Sequence, residues 1–93
     1  MTDEQLMQQA VALGREAEGF IKSSLGRALL QRAKDEIAQA VEELKEVEPT
    51  DAKMVQHIQN RIWRAESFVV WLAEIVQVGT NMEAELNAPG DGE

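Results

Sequence analysis

The chain has no cysteine and no tyrosine, one histidine, two prolines, two phenylalanines and two tryptophans. Without cysteine, disulfides and thiolate metal sites are excluded. With His57 as the lone histidine, no multi-histidine metal centre can form within one chain. No Glu-x-x-His occurs, so a di-iron bundle site has no ligands either. No metal and no cofactor are therefore expected. The strongest apolar run, from Phe68 to Val78, is interrupted by Glu74 and Gln77 and is too short to cross a bilayer, so no membrane partner is expected. The absence of cysteine and of a signal-peptide pattern points to a cytoplasmic protein.

Positive charge is also scarce. Nine Lys and Arg face seventeen Asp and Glu, for a net charge of −8. DNA binding depends on neutralising many phosphates and is not expected here. The distribution says more than the sum. Residues 1–20 carry −3, residues 21–48 carry −1, residues 49–79 carry 0 and residues 80–93 carry −4. Acid sits at the ends, and every basic residue lies between Arg15 and Arg64. A protein that mimics DNA would instead spread carboxylates along a face of its body.

What is present is helical periodicity. Thr2-Asp3-Glu4-Gln5 reads as a capping box, and Leu6, Ala10, Leu13 and Ala17 follow at helical spacing. Gly14 weakens this first helix, and Gly19 is expected to end or bend it. Ser23 or Ser24 caps a second helix running to about Val47, with Leu29, Ala33, Ile37, Ala40, Val41, Leu44 and Val47 on one stripe. Glu48-Pro49-Thr50-Asp51 is a turn, because proline cannot continue the preceding helix and Thr50 or Asp51 caps the next. A third helix runs from about Ala52 to Val78, closed by Gly79, with Met54, Val55, Ile58, Ile62, Ala65, Val69, Leu72, Ala73 and Val76 as its core stripe, and another turn or two can follow through Met82 and Leu86. The pattern is all-α: a short N-terminal helix plus a long antiparallel helical hairpin in one domain, residues 1–86, with residues 87–93 as a disordered acidic tail.

Four features bear on function. The third helix carries more apolar surface than one partner helix can cover: Phe68, Val70, Trp71, Ile75 and Val78 lie outside the core stripe and Trp63 lies well off it. A compact three-helix monomer is the plainer arrangement, but an uncovered patch of this kind is a liability in a soluble monomer, and a homo-oligomer accounts for it better. Next, Lys53, His57, Arg61 and Arg64 lead along one flank into Phe68, Trp71 and Ile75. Guanidinium groups beside aromatic rings suit a ligand that carries both phosphate and base. The competing reading makes these cations a solvated rim that pairs with glutamates, and His57 an ordinary polar rim residue.

On the second helix, Arg27, Lys34 and Lys45 share one edge of the apolar stripe, while Arg32, Glu36 and Glu43 share the other. In an antiparallel hairpin, residue i would lie level with roughly residue 98 − i, bringing Lys34 near Arg64 and Arg27 near Trp71. Like charges converging there would be relieved by an anion; alternatively, local carboxylates neutralise them one by one. Last, Ser23-Ser24-Leu25-Gly26, flanked by Lys22 and Arg27, offers free backbone N–H groups to an anion, although it lacks Walker spacing and a plain N-cap explains it equally. No nucleophile has a base at a suitable spacing, so no enzyme is expected.

The length, the acidic charge, a short leading helix and two long helices joined by a Pro-Asp-type turn resemble the anti-CBASS cyclic-nucleotide sponges of tailed phages. The resemblance spans nearly the whole chain and rests on architecture. It implies a hexamer that holds cyclic dinucleotides between protomers, in some members also cyclic trinucleotides, and leaves them intact so that host anti-phage signalling is blocked. For a phage-encoded protein the cytoplasm would be that of the host. The ligand-binding residues expected from the charge and aromatic lines are Phe20, Lys22, Arg27, Lys34, Arg61, Arg64 and Trp71. The alternative is a phage structural, assembly or adaptor protein acting through helical protein–protein contacts, with the same cations as ordinary salt-bridge partners.

Overall fold

The structure is a computed structural model and describes residues 2–88. It is all-helical, with α1 Asp3–Lys22, α2 Ser24–Glu46 and α3 Ala52–Leu86 packed together and no strand among the described residues. Of the tail expected at 87–93, residues 89–93 lie outside the described residues.

Each helix starts where a side chain takes over an orphaned N–H. The Thr2 hydroxyl accepts from the Gln5 N–H at 3.2 Å, and the Gln5 side-chain oxygen accepts from the Thr2 N–H at 2.9 Å, closing the capping box. The Ser23 hydroxyl accepts from the Gly26 N–H, and Asp51 accepts from the Met54 N–H at 3.1 Å. Asp3 and Glu4 lie at the positive end of the α1 dipole, as Lys45 lies at the negative end of α2.

α3 is the spine. Both α1 and α2 pack along it and touch each other much less. Two expectations fail here. Gly19 does not end α1, which runs on to Lys22 and at 20 residues is nearly as long as α2. Nor does Gly79 close α3, which continues to Leu86. The reason at Gly79 is tertiary: it and Gly14 are both buried where α1 crosses α3, and a Cβ built on either would stand 2.9 Å from the other's Cα. Helix-interior glycine costs about 1 kcal/mol against alanine, and close contact between two helix backbones offsets that. An Arg15–Glu83 ion pair joins the same two helices on the surface.

The shape is elongated, 64 × 29 × 24 Å, with a radius of gyration of 19.0 Å. A globular chain of this length would have roughly 12 Å. Little is fully covered: the buried apolar residues are Ala17, Ala33, Ala40 and Ile58, three of them alanines. Met54 and Ala73, expected in the core stripe, are exposed.

Candidate functional site

α2 and α3 pack against each other. Arg61 reaches Glu36 and Glu43; Arg64, Ala65 and Phe68 share an open groove with Leu29, Arg32, Ala33 and Glu36. The groove holds about 420 Å³, within the size range of small-molecule sites. Two of its seven lining residues, Ala33 and Ala65, are small and leave room that larger side chains would fill; Arg32, Arg64 and Phe68 also line it.

One end is closed electrostatically. The Arg61 Nε–H donates to Glu36 at 2.8 Å, and an Arg61 terminal N–H donates to Glu43. With 16% of its side chain exposed, Arg61 is the most sheltered cation among those in ion pairs. Its hydrogen bond holds the Glu36 carboxyl below the usual glutamate range, against the upward push of desolvation; Arg64 and Arg32 add to the lowering through their positive charge. Arg61 is in turn held above its ordinary value by hydrogen bonds to Glu36 and Glu43. Two guanidinium groups, Arg32 and Arg64, therefore share the groove with a single carboxylate that Arg61 already satisfies. An anion entering beside Phe68 would meet two cations and an apolar ring.

The expected residues separate into groups. Arg64 lines the groove, and Arg61 braces its wall through Glu36. Lys34 does not line it; at that level the lining residues are Ala33 of the α2 stripe and Arg32 and Glu36 from the edge opposite Lys34. Lys22, Arg27 and Lys34 are exposed, and none makes an ion pair among the described residues. Phe20 is half-buried at the corner between α1 and α2, where its carbonyl accepts from the Ser23 hydroxyl and N–H. Trp71 is exposed on α3, near one turn beyond Phe68. Lys45 bonds Glu42 one turn back, and His57 is exposed.

Sequence reasoning missed Arg32. The signal was its place on one edge with Glu36 and Glu43, but nothing local says which edge of α2 faces the Arg61–Arg64–Phe68 line of α3. The serine-rich start of α2 resolves as packing. A Cβ on Gly26 would lie 1.6 Å from the Phe20 carbonyl oxygen, so the glycine is there to let the α1–α2 corner close. Ser23 already uses the Gly26 N–H for its cap. No protein-family model, curated protein or solved structure matches the chain.

Proposed function

We propose that this chain is a homo-oligomeric sponge, built on a long α2–α3 helical hairpin, that sequesters cyclic di- or trinucleotide immune signals without cleaving them. Such a protein, phage-encoded and acting in the host cytoplasm, would keep host anti-phage signalling silent. The observation that carries the reading is the groove in which Arg32 and Arg64 stand beside Phe68 and Leu29. Guanidinium forks suit phosphate oxygens and the ring suits a base. The groove is open on one side, so a ligand of two nucleotides needs a second wall. A neighbouring protomer can supply one, together with cations such as the exposed Lys22, Arg27 and Lys34 and a ring such as Phe20. Sequestration needs no general acid or base, only tight binding and slow release.

Calorimetry with a panel of cyclic di- and trinucleotides tests this. Wild type should bind at least one member, and Arg64→Ala or Arg32→Ala should weaken that binding about ten- to a hundred-fold, the worth of one charge-assisted contact. The ligand should be recovered chemically unchanged after denaturation. The large exposed apolar residues favour a second reading, an assembly or adaptor protein. That reading takes over if no panel member binds.

A further inference from the structure

Where α1 crosses α3, the Gly14–Gly79 contact draws the two helices together and sets their outer apolar residues on one surface. Leu13, Ile75 and Val78 line a shallow trough of about 270 Å³ with Ala10, and Glu74 is its one charged residue. Trp71 lies on the same flank of α3, one turn before Ile75. Leu13, Trp71, Ile75 and Val78 are 56%, 58%, 39% and 48% exposed. In a chain that is 28% charged, a surface this apolar is a patch that something covers.

We propose that a second copy of this chain covers it, each copy seating its own Leu13–Trp71–Ile75–Val78 face against the other's. The proposal gives a place to the self-association in the reading above, and it stands apart from the ligand.

Area supports this occupant. The accessible surface is 7151 Å², against roughly 5,400 Å² for a compact monomer of this mass. The difference, about 1,800 Å² over the whole elongated chain, is more than twice the ~800 Å² per partner of a standard interface, so the chain has surface to spare for one. The covering must also be available as the chain folds, because the buried core of one copy is little more than Ala17, Ala33, Ala40 and Ile58. Another copy is present whenever this one is. A face that meets itself gives a two-fold pair, the commonest closed arrangement. Each copy brings a net charge of −8, so long-range electrostatics opposes the pairing and the apolar face must overcome it. Salt should therefore tighten it, whereas salt weakens the capture of an anion.

The test is sedimentation equilibrium of wild type, Ile75→Glu, Val78→Glu and the control Trp63→Glu, which changes a residue 67% exposed but outside the trough. Wild type should be at least a dimer, more tightly associated at high salt. Ile75→Glu and Val78→Glu should halve its mass or more, and Trp63→Glu should leave it unchanged. A wild-type monomer, or a mass untouched by both trough substitutions, overturns the proposal. If the glutamate variants fail to fold, Trp63→Phe decides, since it leaves Trp71 as the sole tryptophan. Its emission should move to the red as dilution separates the copies, and no shift through dissociation refutes the placement. Arg64→Ala should keep the wild-type mass. An intact oligomer that binds no cyclic nucleotide would refute the sponge and leave this interface standing.

Discussion

Alanine at two glycines of one helix should have unequal effects. A methyl at Gly14 would sit 2.9 Å from the Gly79 Cα and 3.3 Å from the Ile75 carbonyl oxygen. Both are backbone atoms that cannot rotate away. Ordinary carbon–carbon contact is about 3.5–4.0 Å, so the helices must part by a sizeable fraction of an ångström along their crossing. Overpacking of that kind costs about 1–3 kcal/mol. Gly19 has nothing within 4 Å of a built Cβ. At both sites alanine gains up to about 1 kcal/mol of helix propensity, so that gain largely cancels when the two variants are compared. Gly19→Ala should be more stable than wild type, and Gly14→Ala less stable than Gly19→Ala by about 1–3 kcal/mol. For a domain of this size each kcal/mol moves Tm by roughly 4–8 °C. Urea and thermal unfolding followed by circular dichroism, at matched protein concentration, read the difference directly. Equal stability of the two variants, or a more stable Gly14→Ala, would refute the close crossing and with it the surface built on that crossing.

Gly26→Ala should be worse than Gly14→Ala, because 1.6 Å from the Phe20 oxygen forces the α1–α2 corner open; its thermal midpoint should fall below that of Gly14→Ala, and an equal or higher midpoint would contradict the corner. Glu36 has a depressed pKa, so its contribution to stability is complete above the unfolded glutamate value of ~4.3 and is lost as pH falls through the folded value. Glu36→Gln should therefore be the less stable protein at pH 7 yet lose less between pH 7 and pH 3 than wild type, as urea midpoints will report. Identical acid losses would mean that the Arg61 contact does not hold in solution. Arg64→Ala and Arg32→Ala should unfold close to wild type while weakening cyclic-nucleotide binding, since both side chains stand at the groove and not in the packed contact of the helices.

Local chemistry was legible in the sequence wherever a few adjacent residues decide the outcome. The Thr2–Gln5 box and the Asp51 cap, one of the two offered there, follow from side chains bonding to backbone within one turn, and the span of α2 follows from the Ser23 cap at one end and Pro49 beyond the other. Where a glycine stops a helix did not follow, because propensity treats a glycine as a weak link and cannot know that Gly14 will meet Gly79 from 65 positions away, whereas the turns through Met82 to Leu86 did follow from their apolar spacing. At Gly19 the structure offers no compensating contact; the helix continues between buried Ala17 and half-buried Phe20 and Ile21.

The site shows the same division. The cation-to-aromatic line of α3 was visible as periodicity, and Arg64 and Phe68 line a groove. Which edge of α2 lies opposite depends on the rotation of one helix against another. That rotation brings Arg32, Glu36 and Glu43 to the line, leaving Lys34 outside the groove and giving Arg61 two carboxylates.

The most direct measurement of the central claim is native mass spectrometry of the purified chain titrated with cyclic di- and trinucleotides. A species of two or more 10.4 kDa chains is expected, carrying intact cyclic nucleotide in fixed stoichiometry. Ligand ejected from that species should have its original mass. A ligand-free 10.4 kDa monomer at every nucleotide concentration, or a nucleotide released in hydrolysed form, would contradict it.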